Sequence, residues 1–131
     1  MIGVDTNVLV RLFVPVEPQR EASIAFFANR SPTDPAYVSL IVIVEFAWVL
    51  KRRYKYDFEQ IGQGIRWLLD SDDFVVEQRG RVEWALANYT RSKIDFSDLL
   101  VAHAGELAGA RHTATFDTDA AKYVPGMELL A

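Results

Sequence analysis

Five short apolar runs punctuate the chain: Ile2 to Val4, Ala36-Tyr37-Val38, Phe74-Val75-Val76, His112 to Phe116 and Met127 to Leu130. Each is too short for a helix, and a parallel strand covered by helices on both faces reads as an unbroken apolar run. The stretches between them carry helical spacing. Val8-Leu9-Val10-Arg11-Leu12-Phe13 predicts a helix entered through Thr6 or Asn7 as its N-cap. Pro15 to Pro18 breaks it, Gln19 to Asn29 returns to helical spacing, and Ser31-Pro32-Thr33-Asp34-Pro35 is a loop of turn-setting residues. Leu40 to about Tyr54 reads as a helix, although Ile41-Val42-Ile43-Val44 is β-branched enough to suit a strand. Asp57 caps a helix through Leu69, Gly80 to Arg91 carries Val82, Leu86 and Tyr89 on one stripe, and Ser97 to about Ala108 ends at Gly109. Asp119 to Tyr123 is a helical turn. Strands that alternate with helices predict an α/β fold, a parallel sheet with helices on both faces.

Composition narrows this without redirecting it. At 131 residues, 50% hydrophobic and 24% charged, the chain is expected to form a single domain over residues 1–131. The absence of cysteine excludes disulfides, thiolate metal sites and thiol nucleophiles. There is no basic leader, and the run Leu40 to Val44 stops at Glu45, far too short to span a bilayer. A soluble, cytoplasmic protein with no membrane partner is the expectation. A net charge of −4 is a poor prior for nucleic-acid binding by charge alone.

The placement of four acids changes the picture. Asp5 follows the first strand, at the carboxyl end where open α/β sheets collect ligands and catalytic groups. Asp117 repeats that geometry after Thr113-Ala114-Thr115-Phe116. Glu45 has Ile41, Val42, Trp48 and Val49 three and four positions away, so burying its carboxylate requires a partner, for which Arg11 is one candidate. Asp98 opens the apolar helix Leu99-Leu100-Val101-Ala102-His103-Ala104, three residues after Asp95. Each acid alone has a structural explanation as an N-cap, a dipole-favoured first-turn residue or half of an ion pair. Four of them on one rim would repel unless cations intervene. An all-oxygen donor set with no cysteine and no paired histidine favours Mg²⁺ or Mn²⁺ over zinc, and suits phosphodiester chemistry. A phospho-acceptor signalling domain would want paired acids at the first strand and a late lysine. A haloacid-dehalogenase-like phosphatase needs a second Asp where Asn7 stands.

Val4-Asp5-Thr6-Asn7, Ser39-Leu40-Ile41-Val42-Ile43-Val44-Glu45, Asp95-Phe96-Ser97-Asp98-Leu99-Leu100-Val101-Ala102 and Thr115-Phe116-Asp117-Thr118-Asp119 resemble, in order and spacing, the successive motifs of PIN-domain ribonucleases. Pro125 to Leu130 resembles that family's closing strand, and the compact length is similar to the VapC toxins of prokaryotic toxin–antitoxin pairs. The resemblance implies an α/β/α sandwich around a five-stranded parallel sheet and a Mg²⁺- or Mn²⁺-dependent endoribonuclease. It also implies a homodimer and neutralisation by a cognate VapB-type antitoxin. It carries metal binding and catalysis to Asp5, Glu45, Asp98 and Asp117, with Asp119 as a fifth acid and Asn7 and Thr115 as orienting neighbours. Ions held by these carboxylates would activate a water for in-line attack on RNA (tRNA, rRNA or mRNA), leaving a 3′-hydroxyl and a 5′-phosphate. Arg11 and Arg52 are candidates for phosphate contact, beside Lys51, Arg53 and Lys55. His103 and His112 read as structural, and Trp48, Trp67 and Trp84 as core or dimer surface. The alternative is a catalytically inactive PIN-fold interaction module.

Overall fold

A computed structural model describes residues 1–131. Every apolar run becomes a strand and every intervening amphipathic stretch becomes helical. The order is β1 (Ile2–Gly3), α1 (Thr6–Phe13), α2 (Arg20–Ala28), β2 (Ala36–Val38), α3 (Leu40–Arg52), α4 (Phe58–Asp70), β3 (Phe74–Val76), α5 (Arg79–Asn88), α6 (Phe96–Leu107), β4 (Thr113–Thr115), α7 (Thr118–Tyr123) and β5 (Met127–Leu129). The β-branched start of α3 is helical. Ser39 accepts a hydrogen bond from the Val42 amide, and half of the helix is packed into the core, which outweighs the rotamer cost of Ile41 to Val44. No helix is long and apolar enough to cross a membrane.

All strand pairs are parallel, but they do not form one five-stranded sheet. β1, β2 and β3 form one ladder, with Ile2 opposite Ala36 and Ala36 opposite Phe74; β4 and β5 form another, with Thr113 opposite Met127. β1 has only two residues, both exposed, because Asp5 turns the chain into α1 at once. That leaves too little extended backbone to carry a second ladder on its other edge.

The core is a cluster of 27 buried residues with α3 at its centre, packed on α1, α4 and α6. Phe46, Ile43, Leu9, Leu68 and Leu99 are fully buried. A relay of aromatic contacts crosses the elements. Phe13 packs edge-on against Phe46 at 5.0 Å and against Trp67 at 5.5 Å, and Trp67 in turn against Phe74 at 5.3 Å. Such pairs add about 0.5–1.5 kcal/mol each beyond their burial, so α1, α3, α4 and β3 are tied as one block. A polar tie reinforces it: Glu77, just past β3, accepts the Leu40 amide at 2.8 Å, and the Glu77 amide donates to the Val38 carbonyl at 2.9 Å. The first turn of α3 is thereby held by its own N-cap and by a carboxylate from the neighbouring strand, as its positive dipole end favours.

Candidate metal centre

Asp5 is the N-cap of α1, in place of the Thr6 or Asn7 expected from the sequence. Its backbone is extended and its carboxylate accepts the Thr6 amide at 2.7 Å. Capping uses one oxygen and leaves the carboxylate exposed at the carboxyl end of β1. Glu45 lies one and a half turns into α3. Contrary to the expectation of an acid on a buried stripe, it sits on the exposed face of the helix: Ile41 and Trp48 are 71% and 57% exposed, while Val42 and Phe46 point inward. The core takes positions 42, 43, 46, 47 and 50, and Glu45 falls between them. It makes no ion pair with Arg11.

Asp5 and Glu45 line one cleft of about 240 Å³ between α1 and α3, together with Thr6, Arg11, Glu17 and Arg53. Glu17, which is mostly buried, lies 3.9 Å from Arg11 and 3.7 Å from Arg53 and holds both guanidinium groups at the rim. Arg11 is further fixed by donating to the carbonyls of Pro18 at 2.8 Å and Asn7 at 2.9 Å. Arg52 does not line this cleft, and its neighbour Arg53 does. Thr6 is 6% exposed, and its hydroxyl is buried without any hydrogen-bond partner, an unusual state for a buried polar atom.

The other acids gather around the start of α6, which also packs on α3. Asp98 is half-buried, and its pKa is raised by burial first and then by the charges of Asp95 and Asp117, with Lys51 pulling the other way. Asp95 occupies the N-cap position of α6 but does not cap it; its carboxylate pairs with the Lys51 ammonium from α3. Asp117 caps α7 by accepting the Ala120 amide at 3.0 Å, and the Thr115 hydroxyl accepts the Asp117 amide at 3.0 Å. Asp119 lies in the first turn of α7. The expected residues therefore fall into two groups, Asp5 with Glu45 in the cleft between α1 and α3, and Asp98 with Asp117 at the start of α6. No three Asp, Glu or His side chains form a ready-made cation cage.

The donor set nevertheless fits a hard divalent ion. Every candidate ligand is a carboxylate oxygen, and Mg²⁺ is commonly held by only one or two protein carboxylates, with waters and substrate phosphate completing its shell. Burial first, and then the charges of Asp95 and Asp117, raise the pKa of Asp98, and a bound cation would oppose both. The histidines are engaged elsewhere: His103 stacks on Trp84 at 4.2 Å, and His112 lies 3.3 Å from Glu128.

Three participants escape sequence reading. Lys51 was visible only as one of several basic residues closing a helix, and nothing in the local pattern links it to Asp95. Glu17 sits in a proline-broken loop that looks like a connector. Thr6 looks like a capping residue, and only its orphaned hydroxyl distinguishes it.

A parallel α/β fold with acids at strand ends and helix starts is the architecture of nucleases that act through bound metal. The chain belongs to the PIN domain family, whose model matches residues 2–124. PIN domains are generally metal-dependent nucleases. No curated protein matches the chain.

Proposed function

We propose that residues 1–131 form a single PIN domain that acts as a Mg²⁺- or Mn²⁺-dependent endoribonuclease, a cytoplasmic toxin of the VapC type neutralised by a VapB-type antitoxin. The observation that carries this reading is the cleft that Asp5 and Glu45, distant in sequence, line together with Arg11 and Arg53. Carboxylates that would hold a cation and guanidinium groups that would hold the flanking phosphates are the two needs of RNA backbone cleavage.

Asp5, Glu45, Asp98 and Asp117 would supply the carboxylates that hold the ion, with Asp119 as a further acid. When bound, the ion lowers the pKa of a water and stabilises the leaving oxygen. Thr115 steadies Asp117 through its amide, Asn7 flanks Asp5, and Lys51 keeps Asp95 neutralised beside Asp98. Arg11 and Arg53 hold RNA in register, with Arg52 at the exposed margin. Ile41 and Trp48, exposed around Glu45, supply apolar surface for a second copy in a homodimer or for the antitoxin.

Incubation of purified protein with total RNA tests the proposal. Cleavage is expected with Mg²⁺ or Mn²⁺, leaving 3′-hydroxyl and 5′-phosphate ends, and should be lost with EDTA and in Asp5→Asn. Cleavage that persists in EDTA refutes the metal mechanism. A folded protein inert under all these conditions supports the inactive interaction module. A small open reading frame adjacent to the gene, whose product co-purifies and blocks cleavage, separates the toxin role from general RNA processing; light scattering reads the dimer.

A further inference from the structure

A second cleft, of about 380 Å³, opens on the other side of the first turn of α1, between that helix, β1 and α2. It shares Asp5, Asn7 and Arg11 with the acid cleft and adds Gln19, Ser23 and Phe26. Its size lies within the range of small-ligand pockets. We infer that this cleft is a base-binding subsite, which receives the nucleobase adjacent to the phosphate held at the acid cleft; the inference rests on the nuclease reading.

The lining chemistry favours a base. Apart from the shared Asp5 and Arg11 it is uncharged: two carboxamides and a hydroxyl, which donate and accept hydrogen bonds as the edge of a base requires, against an apolar aromatic wall at Phe26. Gln19 is the sharper indicator. It is a non-glycine residue at φ 65° in the left-handed region, which costs about 1–2 kcal/mol, and it stands at the N-cap of α2 without making a side-chain capping bond. Its carboxamide, not spent on capping, lines the cleft. Ser23 is 5% exposed and also lines the cleft. Gly3 completes the cleft: a Cβ placed there would meet nothing within 4 Å. Its bare backbone leaves room that the packing of the strand does not require.

The spatial order is simple. A single strand of RNA whose phosphate lies beside Asp5 and Glu45 has its next nucleotide within reach of the second cleft, because the two clefts share Asp5, Asn7 and Arg11. Single-stranded RNA is read in this way, by splayed bases that are contacted on an apolar face and hydrogen-bonded on an edge.

The test measures fluorescence anisotropy of labelled single-stranded RNA hexamers bound to the protein in EDTA. Intact hexamers are compared with hexamers of the same sequence carrying one abasic position, moved along the strand. Wild-type protein should bind about tenfold more weakly when the abasic position falls at one particular place. Gly3→Val, which fills the cleft, should erase that difference while binding the abasic strand as well as wild type. Gln19→Gly should do the same, and it relieves the left-handed strain, so its folding is secure. Equal binding of intact and abasic strands by wild type overturns the subsite, as it would if the cleft served a partner protein's side chain. Folded Gly3→Val and Gln19→Gly proteins that keep full discrimination overturn it as well. Because binding is read without metal, base discrimination in a protein that never cleaves RNA would sustain the subsite and sink only the nuclease reading. Metal-dependent cleavage without discrimination would do the reverse.

Discussion

The two groups of acids are held in different ways. Toward α1, Asp5 and Glu45 are exposed at the edge of a dry aromatic block, and neither carries an ion pair. Toward α6, Asp98 is half-buried between Asp95 and Asp117, and Lys51 is drawn onto Asp95. The Asp98 carboxyl is raised by burial first and then by its acidic neighbours, so ionising it there carries a cost. The scaffold differs in the same sense. The first group rests on a three-stranded ladder and a fully buried core. The second leans on β4 and β5, whose residues are partly or wholly exposed and whose adjoining helix α7 buries only Ala120. One side is rigid and relaxed, the other lightly supported and electrostatically loaded.

The largest expected effect is on activity. Asp5→Asn and Asp98→Asn should each lower RNA cleavage at least about a hundredfold, as loss of one well-placed charge-stabilising group does. The two variants should then part in stability: Asp98→Asn melts a few degrees above wild type at neutral pH, and Asp5→Asn close to it. Equal melting temperatures would erase the contrast between the two sides. Next comes the scaffold. Phe46→Ala should cost about 3–5 kcal/mol and Val124→Ala about 1–2 kcal/mol in urea unfolding, and a reversed order would mean that the C-terminal unit is the better supported.

The pH dependence is smaller and has a definite sign. The folded pKa of Asp98 lies above its unfolded value of about 3.8, so the folded state binds the extra proton and ionisation of Asp98 opposes folding. The destabilisation is absent below the unfolded pKa and grows as pH rises through the window up to the folded one. In metal-free buffer the stability gained by Asp98→Asn should therefore vanish at strongly acidic pH and reach its full value above that window. A gain that is flat with pH would show that charge is not its source. Smallest is Glu77→Ala, which removes a cap from α3 at about 1 kcal/mol and should lower turnover more than RNA affinity, because Glu77 holds the start of the helix that carries Glu45.

Much of this was legible in the chain. The twelve elements follow from apolar runs and helical spacing, and the acids were found because they recur after strands or at helix starts. Continuity of the sheet was not legible. An unbroken apolar run marks Ile2 to Val4 as extended, but only the geometry at Asp5 determines that the strand stops at Gly3 and that β4 pairs with β5 alone. The orientation of Glu45 was misread for a related reason. Its neighbours at helical spacing are apolar, yet α3 is apolar almost all round, and periodicity cannot identify the buried face of such a helix. Long-range polar ties such as Lys51 with Asp95 and Leu40 with Glu77 leave no trace in a local pattern, since they depend on which elements become neighbours.

One carboxylate ends β1, starts α1 and faces the cleft. Asparagine is as good at beginning a helix as aspartate. Position 5 therefore permits a clean subtraction, in which the negative charge disappears while the corner of the backbone that presents it stays where it was.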